Sequence, residues 1–310
     1  MILKSTIFDI EYPTWAEVLE PGEVLGGPSP WGNSRYSIFK RCPYLYWWYF
    51  IKRMTQVERQ APLEIGGLYH EARAWYALAW LNNTDEDGNP TLSQKEIDDL
   101  CRQRGFEIIN RAEKIVPEFA GEARRLYTAW LARYGPGTRD DYRHKIYGVE
   151  VLLEVEEPFK YSARVDQWLW NDDLDGPEIN EIKSAGRRDA RLLKSYKMDA
   201  QFLGQQYLWN RTMKRKWGPL KGFTVDLVTK GRENIVDPRI LPISLPLIKD
   251  WEKGMRTTFA DLTQCKMSGK WPQRQGYYSC QGRMTCPAFD HCASGRKTHI
   301  GWRKKTKGEY

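Results

Sequence analysis

The spacing of apolar and polar residues changes character near residue 140. Before that point the period is helical. SRYSIFKRCPYLYWWYFIKRM (Ser34–Met54) predicts a helix behind a polar cap, and Leu63–Leu81 a second helix closed by the turn-rich NNTDEDGNP. Ser93–Ile115 and Glu118–Tyr134 predict two more, parted near Pro117, and GPGT at 135–138 marks a boundary. Beyond it, KIYGVEVLLEVEE and YSARVDQWLW carry β-type residues in partial alternation, interrupted by Pro158. NDDLDGPE predicts a turn, INEIKS a short strand, Arg191–Lys216 a helix, GFTVDLVTK a strand and Leu245–Met267 a late helix. The expected fold is therefore α/β: a mixed sheet flanked by helices, preceded by a helical region. Three stretches follow: 1–140 helical, with Cys42 and His70; 141–268 the α/β core; and 269–310 a cysteine-bearing segment with a basic tail. No internal repeat or long low-complexity linker interrupts them.

Composition narrows the class. With 41% hydrophobic and 28% charged residues, a sizeable core is expected and wholesale disorder is not. No stretch approaches the roughly 18 uncharged apolar residues of a membrane span, so no membrane partner is expected. The acidic start, MILKSTIFDIEYPTW, does not read as a signal peptide, which makes a cytoplasmic, reducing location the default. A net charge of +8 and a pI near 9.0 favour polyanionic partners. Three basic clusters stand out: Arg187, Arg188, Arg191, Lys194 and Lys197; Lys214, Arg215, Lys216 and Lys221; and Arg303, Lys304, Lys305 and Lys307. Each reads either as a phosphate-binding track or as a solvated face. Of the fourteen Trp most belong in a core, although an aromatic beside a basic groove can stack on bases.

Candidate chemistry sits on the predicted strands. Glu181 and Lys183 in EIK are two residues apart, which on a strand places them on one face. Asp166, on the neighbouring strand of a hairpin, can reach the same face. Two converging carboxylates suit a hard divalent cation, with Lys183 beside its water. Phosphodiester hydrolysis needs this set: a cation to activate water and neutralise the phosphate, and an ammonium to stabilise the developing charge. A salt-bridged surface hairpin would use the same residues. Glu150, on the preceding strand, reads as exposed or salt-bridged, with a supporting role behind the cation as the alternative.

Two flanking segments complete the pattern. GGLYHEARAWY places His70 in a helix upstream, and YKMDAQFLGQQYLW places Gln201 on the helix after EIK. Together these resemble the RecB-like branch of the PD-(D/E)XK nuclease superfamily: a G-x-x-H helix, a strand ending G-x-x-D, then (D/E)-x-K, then a Gln-centred helix. The resemblance runs in order from about Ser34 to Cys292. It implies that His70, Asp166, Glu181 and the carbonyl of Ile182 bind Mg²⁺ or Mn²⁺, that Lys183 is catalytic, and that Gln201 supports the site or the DNA. Two departures are visible. Ala163 replaces the family glycine before the aspartate, and Gln201 is followed by Gln205 where Tyr is usual, with Tyr207 displaced by two.

Six cysteines are present, three of them in SCQGRMTCPAFDHC with five residues in each gap. Such spacing in a reducing compartment suggests metal rather than disulfides. Cys42, 238 residues before Cys280, is not a local partner. The layout is again similar to the iron–sulfur subgroup of RecB-like nucleases, which includes the CRISPR-adaptation exonuclease, the AddB subunit and phage relatives. There, one N-terminal Cys-Pro and three C-terminal cysteines hold a cluster. The resemblance implies a [4Fe–4S] cluster on Cys42, Cys280, Cys286 and Cys292, with a first C-terminal gap longer than usual. The alternative is a zinc knuckle of Cys280, Cys286, Cys292 and His291. Cys101 and Cys265 read as buried small hydrophobes, Cys265 being a spare ligand.

The expected function is a metal-dependent deoxyribonuclease, an exonuclease on single strands or DNA ends, with a helicase, recombination or CRISPR-adaptation complex as candidate partner. Rival readings are an idle DNA-end-binding subunit and a zinc-containing nucleic-acid-binding module.

Overall fold

The computed structural model describes residues 3–4, 11–12, 29, 31–56, 61–85, 89–114, 117–186, 190–230, 235–274, 276, 279–280, 286–295 and 302–304. Two short N-terminal strands, β1 (Leu3–Lys4) and β2 (Glu11–Tyr12), pair antiparallel. The region expected as one helix over Ser34–Met54 is three pieces: α1 (Asn33–Arg41), α2 (Pro43–Tyr46) running into a π turn over Trp47–Ile51, and strand β3 (Met54–Gln56). The break falls at Cys42, with φ −163° and ψ 116°. Its cause is Pro43, whose ring disfavours helical backbone in the preceding residue while suiting the first turn of a new helix.

Three long helices follow: α3 (Ala61–Leu81), α4 (Gln94–Glu113) and α5 (Pro117–Tyr134). A capping box fixes the start of α4. The Ser93 hydroxyl accepts from the Glu96 amide, and the Glu96 carboxylate accepts from the Ser93 amide at 3.0 Å.

The sheet comprises β4 (Ile146–Val155), β5 (Tyr161–Asn171), β6 (Gly176–Ala185), β7 (Gly222–Thr229) and β8 (Val236–Ile240), in that spatial order. All neighbours are antiparallel except β6 and β7, which are parallel. A parallel pair needs a crossover. Here it contains α6 (Ala190–Tyr196), α7 (Ala200–Leu208), a π turn over Trp209–Met213 and α8 (Lys214–Trp217). The single helix expected over Arg191–Lys216 is interrupted because Asp199 leaves helical geometry and caps α7, its side chain accepting from the Gln201 amide. One further expectation shifts and one strand was not expected. β6 starts inside the segment read as a turn, and the unexpected β8 carries Pro238, which is tolerated because β8 is an edge strand.

Helix α9 (Leu245–Ser268) is capped by Ser244 and closed by Gly269 at φ +67°. Then come α10 (Phe289–Ala293) and β9 (Trp302–Lys304), which pairs with β3.

The core lies on both sides of the sheet. One cluster joins Val151, Val165 and Val225 to Phe202 and Leu208 of α7, Trp251 and Met255 of α9, and Phe39 of α1. The other joins Ile182, Val228 and Val236 to Tyr76 of α3, Ile109 of α4 and Trp130 of α5. A separate cluster holds Cys42, Leu45, Trp48 and Met54 against Cys286 and Ala288, so the two ends of the chain share a small core. Among the described residues, no helix is long and apolar enough to cross a membrane.

Candidate active site

The site forms where the sheet ladder opens. The β5–β6 register runs only from Asn171↔Gly176 to Gln167↔Asn180. One residue further along, the Asp166 carboxylate replaces the ladder by accepting from the Ile182 amide at 2.7 Å. On the other flank, the β4–β5 register passes from Val149↔Gln167 to Val151↔Val165. Glu150, between them, has φ +53°. A non-glycine residue held in that region costs about 1–3 kcal/mol and is kept only where its surroundings over-determine it.

Three elements bring the expected residues together. His70 on α3 places Nε2 2.7 Å from Asp166 Oδ2 and Nδ1 3.2 Å from Glu150 Oε1. On β6, Lys183 Nζ lies 2.6 Å from Glu181 Oε1, as two residues on one strand face should. Helix α7 supplies Gln201, which donates to Glu181 Oε1, and Gln205, which donates to Glu181 Oε2 at 2.7 Å and to the Arg164 carbonyl at 2.9 Å. Gln201 Oε1 also accepts from Lys183 at 3.5 Å.

Electrostatically the site calls for a cation. Glu150, Asp166 and Glu181 are all buried, at 5%, 6% and 0% exposure. Burial pushes Glu150 up to about 8 and raises Glu181, with the Asp166 charge adding to both. Burial also pushes Asp166 up, but the His70 charge and hydrogen bond, Lys183 and the Ile182 amide outweigh it and hold Asp166 below its ordinary value. For His70, burial lowers the pKa, yet Asp166 and then Glu150 raise it to about 9. Lys183 is likewise held above its ordinary value by Glu181 and Asp166, against burial. His70, Glu150 and Asp166 each offer a ligand atom within 4.8 Å of the others. Carboxylate oxygens with one imidazole suit Mg²⁺ or, better, Mn²⁺.

Beneath the site, Arg73, one turn beyond His70, is fully buried, with Nη1 2.6 Å from Asp226 Oδ2 on β7. Neither Asp226 oxygen receives a well-aligned hydrogen bond from the described residues, so charge carries this contact rather than N–H···O geometry. Arg73 also donates to the Tyr69 and Tyr142 hydroxyls at 3.1 and 2.6 Å and lies 4.4 Å from the Trp130 ring centre.

Sequence reasoning brought His70, Asp166, Glu181, Lys183 and Gln201 to one place. It read Glu150 as exposed or salt-bridged; the residue is ion-paired, but buried inside the site. It missed Gln205, Arg164 and the Arg73–Asp226 pair. The signal for Gln205 was its spacing of four from Gln201, which stacks the two on one helix face. No sequence signal marks Asp226. Of the basic group after β6, Arg187 and Arg188 lie outside the described residues, Arg191 lies in α6, and Lys194 and Lys197 are exposed.

The cysteines form a second locus. Cys42, Cys280, Cys286 and Cys292 line one cavity of about 210 Å³, together with Tyr44, Leu45 and Phe289. The Arg274 amide donates to Cys42 Sγ at 3.5 Å, and Gln273 Nε2 to Cys292 Sγ at 3.3 Å. His291 does not line the cavity; its Nε2 is 3.1 Å from the Tyr44 hydroxyl and its ring stacks on Trp48. Cys101 is buried in α4, and Cys265 in α9 is half-buried.

A five-stranded mixed sheet between helices, with an Asp/Glu-x-Lys cluster where its ladder splits, defines a PD-(D/E)XK-type fold. The chain belongs to the PD-(D/E)XK nuclease superfamily, whose model matches residues 30–293. No curated protein matches the chain. Among solved structures it is similar to a candidate exonuclease from Eubacterium rectale (14% identity over 84% of this chain and 86% of that one, TM-score 0.46). It is also similar to the protein SSO0001 (12% identity over 62% and 83%, TM-score 0.28).

Proposed function

We propose that this protein is a metal-dependent deoxyribonuclease that hydrolyses phosphodiester bonds at single strands or DNA ends. The observation that carries the proposal is the convergence of His70, Asp166, Glu181 and Lys183 on one opening of the sheet. In this reading His70 Nε2, Asp166, Glu181 and the Ile182 carbonyl hold Mg²⁺ or Mn²⁺. When bound, the cation supplies activation of the attacking water and neutralisation of the phosphate. Lys183, fixed by Glu181 and Gln201, stabilises charge on the phosphate oxygens. Gln205 holds the other oxygen of Glu181, so the carboxylate is oriented from both sides. The basic group from Arg187 to Lys197, directly after β6, leads the strand's phosphates to the site.

Cys42, Cys280, Cys286 and Cys292 hold a [4Fe–4S] cluster in the same reading. Four thiols on one cavity suit the cluster, and the engagement of His291 with Tyr44 weighs against a zinc knuckle.

End-labelled single- and double-stranded DNA, with Mg²⁺, Mn²⁺ or chelator, tests the activity. Cleavage should require the cation and fall at least about 100-fold in Asp166→Ala and Lys183→Ala. Undiminished cleavage in either variant would remove the assignment. Iron and sulfide analysis of anaerobically purified protein tests the cluster, with zinc in place of iron as the contrary result.

A further inference from the structure

His70 lies between two buried carboxylates, with Asp166 at Nε2 and Glu150 at Nδ1. A neutral imidazole that gives one nitrogen to a cation keeps its proton on the other, and that N–H needs an acceptor. The proposed function places the cation with Asp166, hence at Nε2, and this inference rests on that reading. We propose that Glu150 is a positioning residue: it accepts the Nδ1–H of His70 and so fixes the tautomer that leaves the Nε2 lone pair free for a divalent cation.

Three features separate Glu150 from an incidental ion-pair partner. Its carboxylate lies inside the molecule, where an acid without a task is costly. Its backbone adopts φ +53° at the residue skipped by the β4–β5 register, so the strand departs from regular geometry at the acid that meets His70. Both ends of the residue are also fixed by Arg164: Nε lies 3.8 Å from Glu150 Oε2, and Nη1 donates to the Glu150 carbonyl at 2.8 Å. Arg164 in turn has its own carbonyl bonded to Gln205, the residue that orients Glu181. One chain of contacts therefore runs from the histidine, through Glu150 and Arg164, to the glutamate across the site. An acid behind a metal-bound histidine raises its basicity and fixes its ring, and loss of such an acid typically weakens metal binding about 10–100-fold. A direct bond from Glu150 to the cation is the competing role, and the conservative variant separates the two. Glutamine keeps an oxygen for Nδ1–H but offers a far poorer ligand.

The test is Mn²⁺ affinity, by calorimetry on the full chain, for wild type, Glu150→Gln, Glu150→Ala and Asp166→Asn, with each melting temperature measured in chelator. Glu150→Ala should bind about 10–100-fold more weakly, whereas Glu150→Gln, which keeps the acceptor for Nδ1–H but not the charge, should lose less than Glu150→Ala, and Asp166→Asn should lose binding. Wild-type affinity in Glu150→Ala overturns the inference. So does a loss in Glu150→Gln as large as in Asp166→Asn, which would make Glu150 a ligand. Equal binding by wild type and Asp166→Asn, or no binding by wild type, instead removes the metal-site reading beneath it. Should Glu150→Ala fail to fold, nitrogen-15 spectra of histidine-labelled wild type loaded with Zn²⁺, a diamagnetic probe, decide the question. A His70 proton on Nδ1 is expected, and one on Nε2 refutes the role.

Discussion

Removing one member of the Arg73–Asp226 pair should destabilise the protein more than most single changes at the site above it. Arg73 is 0% exposed and Asp226 2%, so a survivor would be left charged in the core. Breaking a buried pair in this way costs about 3–5 kcal/mol. Asp226→Ala should fall in that range. Arg73→Ala should lie at its upper end, because the guanidinium also donates to Tyr69 and Tyr142 and lies over Trp130, a ring contact worth about 0.5–2 kcal/mol. For a chain this long, each kcal/mol moves the melting temperature by about 2 °C, the low end for larger domains. Asp226→Ala should therefore melt roughly 6–10 °C lower. The double variant Arg73→Met/Asp226→Leu removes both charges and fills the space, and should cost far less than the two losses added. Urea unfolding followed by Trp fluorescence, in chelator so that metal does not contribute, reads all of these. A cost below about 1 kcal/mol for Asp226→Ala, or strict additivity in the double variant, would refute the view that each of these buried charges is compensated by the other.

Gly204→Ala should cost about 1–3 kcal/mol and reduce cleavage, because a Cβ there collides with the buried Tyr161 hydroxyl and pushes α7 away from Glu181; melting curves and the DNA assay check it. Lys194→Gln/Lys197→Gln should flatten the salt dependence of DNA binding by about one unit of slope per lost phosphate contact, and an unchanged slope would make the group a solvated face. Burial pushes the Cys101 thiol from 9.0 up to about 12. The folded pKa being the higher one, its contribution is complete below pH 9 and is lost as pH rises from 9 towards 12, at up to about 1.4 kcal/mol per unit. Urea unfolding at pH 8 and 10.5 should show a shallower alkaline loss in Cys101→Ala than in wild type.

Much of this architecture was legible because local chemistry and global fold agree at the same residues. Ser93 with Glu96 announces α4, and EIK on a strand brings Glu181 and Lys183 to one face whatever surrounds them. What was not legible depended on contacts across the chain. Pro43 broke a helix that apolar periodicity would have continued, while Pro238 did not prevent a strand, because β8 has an open side. Glu150 and Asp226 look like ordinary strand acids in sequence. Only the opening of the β5–β6 ladder and the approach of α3 turn them into buried partners of His70 and Arg73. β9 is three residues long and its partner, β3, is more than 240 positions away, so no window of sequence holds both.

The two chemical loci are physically linked, and the link constrains what the thiol cavity can do. Cys42 ends α1, and Phe39 of α1 packs in the same core as Phe202 and Leu208 of α7, the helix that carries Gln201 and Gln205. The Tyr44 amide bonds the Pro272 carbonyl, and the Arg274 amide bonds Cys42 itself, so the chain after α9 is tied to the chain after α1 at the cavity wall. A group bound by all four thiols would close a loop of more than 200 residues. Closure entropy grows only as the logarithm of loop length, so the gain is a few kcal/mol at the scale of a disulfide, plus the ligand bonds themselves. None of that energy is delivered at Asp166 or Lys183. It would hold α1, and through the shared core α7, in the position from which Gln201 and Gln205 grip Glu181. On the proposed function, a group bound there would act through the placement of these two glutamine side chains, an architectural rather than a chemical role.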